Sequence, residues 1–181
     1  MTKTEHFPET YFAEMTSMDL AEAGEAIFDW VAVLPIAAVE QHGPHLPLGT
    51  DSFINEGLIQ RFAESHAKEL PVTFLPVQPI GKSDEHMAFP GTVTITGETA
   101  RSSWVQMGEA LATSGIRRLI LLNSHGGNSA VMDQVALDLR HSNMLAVTTS
   151  WSRLTDAAKH FGEDEKAFGI GCVIGSIYRC G

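Results

Sequence analysis

Cysteine is scarce in this sequence, and both copies lie near its C-terminal end. The 181 residues contain only Cys172 and Cys180, so no disulfide can cross-link the part of the chain that precedes them. This usage is typical of a reducing compartment, and we expect a cytoplasmic protein. The first twelve residues also lack the basic and then apolar order of a secretory signal.

Basic residues are also few. The chain has 12 Lys and Arg against 22 Asp and Glu, which gives a formal net charge of −10 at pH 7. A protein that binds nucleic acid usually presents a basic surface to the phosphates. We therefore expect no nucleic-acid partner.

Long hydrophobic runs are absent as well. The longest, Trp30–Val39, has about ten residues and contains Pro35, whereas a helix that spans a bilayer needs roughly 20. We interpret this run as a buried strand and expect no membrane partner. With 44% hydrophobic and 19% charged residues, the composition predicts one compact domain with a substantial core.

Strand and helix patterns alternate along the chain. Continuous β-rich runs predict strands, and apolar residues at helical spacing between them predict helices. The predicted strands are Val31–Ala38, Val72–Val77, Arg118–Leu122 and Met144–Ser150, and the predicted helices are Asp51–Glu69, Glu98–Ser114 and Asn128–His141. This alternation predicts an α/β fold, a three-layer α/β/α sandwich around a mainly parallel sheet. Its functional site is expected beyond the carboxyl ends of the strands.

Polar residues follow the first and third predicted strands. Glu40 and His42 come after the first strand, and alternate side chains of an extended segment point to one face. Asp51 returns at the start of the next helix, and His125 follows the third strand. Imidazole and carboxylate ligands suit Zn²⁺, Mn²⁺ or Fe²⁺, and a carboxylate can bridge two ions. The pattern therefore indicates a hydrolytic metal site.

Each of these residues also has an ordinary structural interpretation. A pair such as Glu40 and His42 occurs often by chance, and Asp51 could instead cap the N-terminus of the helix that it begins. The segment 125–128, HGGN, could be a tight turn between a strand and a helix. The metal site is favoured because all of these residues lie at strand ends of one predicted sheet.

Three segments of the chain resemble the creatininase family, also called creatinine amidohydrolase-like proteins. Residues 40–51, EQHGPHLPLGTD, resemble the signature of that family. Residues 81–92, GKSDEHMAFPGT, resemble the loop beside its substrate, and residues 123–128, NSHGGN, resemble its second metal motif. The resemblance implies a creatininase-like fold, hydrolysis of a C–N bond in a cyclic or linear amide, and a homo-oligomer, often a hexamer.

The same resemblance implies a centre with two divalent ions. In this centre Glu40 and His125 hold one ion, His42 contributes to the other, and Asp51 bridges them. Such a centre activates a water molecule for attack on an amide carbonyl.

Glu85 and His86 are the candidate catalytic residues that do not bind metal. Either could orient a small-molecule amide substrate or pass a proton to the leaving nitrogen. The alternative for this pair is an exposed loop with no catalytic role.

Two departures from the family pattern bear on activity. Gly127 stands where creatininase itself has a glutamate ligand, which makes creatinine a less favoured substrate. After Ile170 the chain lacks the His-Ala-Gly-x-x-Glu segment that supplies acid residues to the site. We therefore expect a creatininase-like domain over residues 1–170 and an atypical tail, truncated or altered in frame, over 171–181.

Without this segment the second ion lacks one of its protein ligands and keeps only His42 and the bridging Asp51. The alternative function is therefore a catalytically impaired family member that acts as a metal-binding or ligand-binding protein. The metal content of the purified protein distinguishes the two functions. About two ions per chain favour the hydrolase, and one or none favours the impaired protein.

Overall fold

The computed structural model of this protein describes residues 6–154. In that range the strands are β1 (Val31–Ile36), β2 (Val72–Phe74), β3 (Arg118–Asn123) and β4 (Leu145–Ser150). The α-helices are α1 (Ser17–Ala23), α2 (Thr50–His66), α3 (Gly97–Thr113), α4 (Ser129–His141) and α5 (Trp151–Leu154). The predicted tail at 171–181, with its two cysteines, lies outside the described residues.

The four strands form one parallel sheet in the order β2-β1-β3-β4. The central strands β1 and β3 pair along their full length, from Val31 opposite Arg118 to Ile36 opposite Asn123. The chain first moves from β1 to β2 on one side and later continues from β3 to β4 on the other. The strand order therefore reverses between β1 and β3, and ligands of open parallel sheets bind outside the carboxyl ends at such a point.

The two faces of the sheet pack on different helices. Leu34 of β1 lies in the same buried cluster as Trp104 of α3 and Met132 of α4. Its neighbour Val33 packs on the opposite face in a cluster with Ile59 of α2. This division follows from the two-residue repeat of a strand, which sends successive side chains to opposite faces. The predicted three-layer α/β/α sandwich around a parallel sheet is confirmed.

The predicted strands and helices are all present, and their ends differ by a few residues. The predictions extended β2 to Val77 and α2 to Glu69, whereas these elements end at Phe74 and His66. The sequence analysis did not predict α1. That helix begins after Thr16, whose side chain accepts a hydrogen bond from the backbone of Asp19 while the Asp19 carboxylate accepts one from the Thr16 N–H. This capping box was a readable signal in the sequence.

The two longest helices, α2 and α3, have 17 residues each. Each buries one side against the sheet, through Ile59 in α2 and Trp104 in α3. Among residues 6–154, no helix has both the length and the apolar character needed to cross a membrane.

Candidate metal centre

Four acidic and histidine side chains meet where the strand order reverses. Glu40 and His42 lie in the loop after β1, Asp51 lies in the first turn of α2, and His125 follows β3. All four are buried, with exposed fractions of 1% to 5%. The structure thus brings the four predicted metal ligands into one cluster.

Donor atoms of these side chains are close enough to share ions. One ligand atom from each of Glu40, His42 and Asp51 lies within 4.8 Å of the other two. Nε2 of His42 is 3.3 Å from Oδ1 of Asp51, and Nδ1 of His125 is 3.7 Å from Oδ2 of Asp51. The two oxygens of Asp51 therefore face two different imidazoles, which is the arrangement that a bridging carboxylate needs.

Hydrogen bonds determine which nitrogen of each neutral imidazole carries the proton. Nδ1 of His42 lies 3.1 Å from the carbonyl oxygen of Glu40, which can only accept, so Nδ1 donates. Nε2 of His125 lies 3.0 Å from the carbonyl oxygen of Lys82 and donates for the same reason. In the neutral rings, the forms that bind metal, the lone pairs on Nε2 of His42 and Nδ1 of His125 face the carboxylates. Ligating histidines are usually held in this way by a partner on the other ring nitrogen.

The buried carboxylates attract positive charge to the cluster. Burial lowers the pKa of His125, but its contacts with Glu40 and Glu85 outweigh burial and raise the pKa to about 10. Burial also lowers the pKa of His42, and its contact with Asp51 reverses the direction, so the pKa is raised. The pKa of Asp51 is raised as well, chiefly by burial.

The side chains present fit a divalent ion. Oδ2 of Asp51 is buried and has no hydrogen-bond partner, and a buried acceptor in that state costs about 1–3 kcal/mol. Nitrogen and carboxylate oxygen donors are the ligands that Zn²⁺, Mn²⁺ and Fe²⁺ accept in proteins. An ion between Asp51 and His125 would pair the unsatisfied oxygen, which faces Nδ1 of His125.

Asp51 does not cap α2, so that alternative interpretation is wrong. The N-cap position is Gly49, and no side chain makes a capping hydrogen bond there. Thr50 instead holds the start of the helix by donating its hydroxyl to the carbonyl oxygen of Pro47. The Asp51 carboxylate is thereby left to contact the two histidines.

The loop around residues 82–86 contacts two residues of the cluster, Glu40 and His125. Oγ of Ser83 donates a hydrogen bond to Oε2 of Glu40, and Nε2 of His86 lies 3.5 Å from Oε1 of the same residue. His86 is buried and Glu85 is partly buried, so the exposed-loop interpretation of this pair is wrong. Oε1 of Glu85 lies 3.0 Å from Nε2 of His125, and this contact chiefly lowers the pKa of Glu85 to about 2.

A family model described as creatinine amidohydrolase matches residues 13–170. The matched range is well over half of the chain and includes all four residues of the cluster. The chain belongs to the creatininase family.

Curated relatives of this creatininase-family chain include two enzymes. The mycofactocin precursor peptide peptidase of Mycobacterium tuberculosis is 37% identical over 114 residues, which are 60% of this chain and 45% of that protein. Creatinine amidohydrolase of Pseudomonas putida is 31% identical over 146 residues, which are 76% of this chain and 56% of that protein. The chain thus spans about half the length of the curated relatives that it matches.

Solved creatininase structures share this fold. A crystal structure of creatinine amidohydrolase superposes with a TM-score of 0.68 at 31% identity and covers 83% of this chain and 61% of that chain. A structure named creatininase Mn has a TM-score of 0.68, and a mutant creatininase of Zn-Zn type has 0.66. Both are 29% identical to this chain and cover 83% of it and 62% of their own length.

Gln41 has a role that sequence reasoning missed. Its Oε1 accepts a hydrogen bond from the backbone N–H of Gly43, which turns its amide nitrogen toward Nδ1 of His86 at 3.1 Å. Because that amide nitrogen donates, Nδ1 of the neutral His86 ring accepts and Nε2 carries the proton. The available signal was the position of Gln41 between the two predicted ligands Glu40 and His42.

Asn128 was also missed as an individual residue. It is fully buried, its Oδ1 accepts a hydrogen bond from the backbone N–H of Lys82, and its Nδ2 donates to the carbonyl oxygen of Ala37. One amide thus ties the loop that carries Glu85 to the end of β1. Sequence reasoning placed Asn128 only at the edge of a motif and at the start of a helix.

Proposed function

We propose that this chain carries the site of a metal-dependent amidohydrolase, which hydrolyses the C–N bond of a small cyclic or linear amide by a metal-activated water. One observation carries the proposal: the buried Asp51 carboxylate faces His42 with one oxygen and His125 with the other. The oxygen on the His125 side has no hydrogen-bond partner. Membership of the creatininase family supports the same reaction class.

Two divalent ions, Zn²⁺, Mn²⁺ or Fe²⁺, belong to this proposal. Glu40 and His125 would hold one ion, His42 would contribute to the other, and Asp51 would lie between them. A bound divalent ion supplies Lewis acidity, which polarises an amide carbonyl and acidifies water. The names of two similar creatininase structures, which contain manganese and zinc, support this choice of metals.

His86 is the residue best placed to donate a hydrogen bond to a substrate. Gln41 holds its neutral ring with the proton on Nε2, and that atom lies 3.5 Å from Oε1 of Glu40. The N–H therefore points toward the ligand cluster, where it can donate a hydrogen bond to an amide substrate and stabilise the charge that develops on it.

Glu85, in contrast to His86, has no proton to donate near neutral pH. Its pKa of about 2 keeps the carboxylate ionised near neutral pH, and Nζ of Lys82 lies 3.3 Å from Oε2. An ionised group of this kind can orient a partner but has no proton to give. In this proposal Glu85 orients its partner and His86 donates a hydrogen bond to the substrate.

The substrate class rests on the relatives. One is named for a peptide and another for creatinine, a cyclic amide, so the proposed substrate is a small molecule with an accessible amide bond. Because Gly127 replaces a glutamate ligand, the proposal does not favour creatinine itself. A homo-oligomer, a hexamer by family resemblance, and a cytoplasmic location complete the proposal.

Metal content and hydrolysis test this function together. The protein is stripped with a chelator, reloaded with Zn²⁺ or Mn²⁺, and assayed on a panel of peptide and cyclic amides. We expect about two ions per chain and a hydrolysis that chelation abolishes and metal restores. His42→Ala should lose metal and activity, whereas His45→Ala, an exposed histidine in the same loop, should keep both. One ion or none, with no hydrolysis of any amide, would identify the catalytically impaired metal-binding protein instead.

A further inference from the structure

The carboxylate of Glu85 fills the space directly over Gly127. A Cβ atom built on Gly127 would overlap Oε1 of Glu85 and Nε2 of His125 and would lie 2.8 Å from Cδ of Glu85. Real Cβ atoms essentially never approach other heavy atoms so closely, so any side chain at this position would displace Glu85 or His125. Gly127 is not among the residues with positive φ in the described range. The need for glycine here is therefore one of space and not of backbone conformation.

Glu85 uses that space to reach the outer edge of the His125 ring. Oε1 of Glu85 and the carbonyl oxygen of Lys82 both lie 3.0 Å from Nε2 of His125. The Lys82 carbonyl accepts the hydrogen bond from Nε2–H, whereas Oε1 of Glu85 makes no hydrogen bond and contacts the ring as a buried negative charge. The other oxygen of Glu85 accepts a hydrogen bond from Nζ of Lys82 at 3.3 Å, which fixes the carboxylate in turn.

The opposite edge of the same ring faces the proposed ligands. Nδ1 of His125 lies 3.0 Å from Oε1 of Glu40 and 3.7 Å from Oδ2 of Asp51. A rotation of the ring that released Nε2 from Glu85 would also move Nδ1 away from these oxygens. The contacts of Nε2 on the Gly127 side of the ring therefore determine where Nδ1, the proposed ligand atom, points.

We propose that Glu85 is a positioning residue for His125, and that residue 127 is glycine so that this carboxylate can hold the ring with Nδ1 toward Glu40 and Asp51. The proposal rests on the proposed function only in taking His125 as a metal ligand. It predicts that a change at Gly127 and a change at Glu85 break the same contact.

Zn²⁺ affinity, measured by competition with a chromophoric chelator, tests the proposal in the full chain. We expect Glu85→Ala and Gly127→Ala each to weaken binding by about 10–100-fold, the usual effect of losing a partner of a ligating histidine. The double variant should be no weaker than the single ones. Glu85→Gln keeps the shape of the side chain but loses the charge that contacts His125, so it should lose affinity nearly as much as Glu85→Ala. The control is Gly126→Ala, because a Cβ atom there meets nothing within 4 Å.

Two spectroscopic readouts separate positioning from a general loss of structure. With Co²⁺ as the probe ion, the visible bands should change in Gly127→Ala and stay as in wild type in Gly126→Ala. In the metal-free protein, the ring N–H signal of His125 should be protected from exchange in wild type and Gly126→Ala, and should shift or disappear in Gly127→Ala and Glu85→Ala.

The proposal is overturned if both variants keep wild-type Zn²⁺ affinity and an unchanged His125 ring signal, or if the affinity losses add in the double variant. Failure of the proposed function gives a different result. In that case wild type itself binds no Zn²⁺ or hydrolyses no amide, while the metal-free ring signal still reports whether Glu85 holds His125.

Discussion

Nδ1 of His125 lies 3.0 Å from Oε1 of Glu40, so the side chains that follow the two central strands contact each other directly. The contact depends on the sheet, because Ile36 at the end of β1 is paired with Asn123 at the end of β3. Parallel pairing carries both loops past the same edge. The site is therefore held by two adjacent strands, and changes in either loop are expected to act on the same cluster.

Asp51→Asn should remove metal and leave the fold nearly unchanged. The amide keeps the shape of the side chain but loses the charge that faces His42 and His125. Because burial already disfavours the ionised form of Asp51, the neutral amide should cost little in the metal-free protein. We expect the thermal midpoint after chelation to fall by less than about 4 °C, which corresponds to about 1 kcal/mol in a chain of this length.

Mass spectrometry of bound metal provides the decisive measurement for that variant. Asp84→Asn is the matched control, since its side chain is 57% exposed on the loop beside the site. The thermal scans need chelator because a bound ion itself raises apparent stability. Unchanged metal content in Asp51→Asn would remove Asp51 from the site.

Gln41→Leu should slow hydrolysis without reducing metal content. Leucine cannot donate to Nδ1 of His86, so the tautomer with the proton on Nε2 loses a hydrogen bond worth about 1 kcal/mol. Its population relative to the other tautomer then falls by roughly fivefold. We expect kcat to fall by about that factor while KM changes little. His86→Ala should lower kcat by about 10²–10³-fold, because the hydrogen bond that Nε2–H donates to the substrate is lost.

Combining the two changes checks that Gln41 acts through His86. In the double variant the effect of Gln41→Leu should vanish, because no imidazole remains to be oriented. Gln60→Leu on the exposed side of α2 serves as the control. A further fivefold loss in the double variant would show that Gln41 has a separate role.

Gly81→Ala should destabilise the protein, whereas Gly57→Ala should stabilise it. A Cβ atom at Gly81 would overlap the carbonyl oxygen of Ala37 and lie 2.5 Å from Oδ1 of Asn128, so we expect a loss of about 1–3 kcal/mol. Gly57 is exposed in the interior of α2 with nothing near its Cβ position, and alanine there should add about 0.5–1 kcal/mol. Urea denaturation of both variants measures the two signs. Equal effects would mean that Gly81 is not the close approach described above.

The strands could be predicted because buried parallel strands are continuous apolar runs bounded by polar loops. The order of the strands could not be predicted, since no local pattern states that β3 pairs with β1 and not with β2. That order is what places His125 against Glu40. Ligands of open parallel sheets bind beyond the carboxyl ends of the strands, so the polar residues that follow β1 and β3 indicated a site at this edge. That prediction did not require knowing which strands are neighbours.

The contact between Glu85 and His125 lay beyond sequence reasoning for a different reason. The contact depends on the absence of a side chain at residue 127, because the Glu85 carboxylate occupies the space over Gly127. A glycine in a strand-to-helix turn is ordinary, and nothing in the pattern distinguishes Gly127, which is crowded, from Gly126, which is open. Only the packing of the 82–86 loop against that turn reveals the difference.

Asn128→Asp should destabilise the protein more at neutral pH than at acidic pH. The new carboxylate can still accept from the backbone N–H of Lys82, but it can no longer donate to the carbonyl oxygen of Ala37 or to Oδ1 of Asn123, its two partners on the other side. Burial beside two acceptors raises the pKa of such an acid in the folded state. The folded protein then binds more protons than the unfolded chain, so stability falls as pH rises above the unfolded pKa of about 3.9. Urea denaturation of wild type and variant between pH 4 and 7 should show a difference in unfolding free energy that grows with pH, whereas Asn128→Ala should show a loss of about 1–3 kcal/mol that is independent of pH. A constant difference for both variants would mean that the buried amide is not held between these acceptors and does not tie the loop of Glu85 to β1.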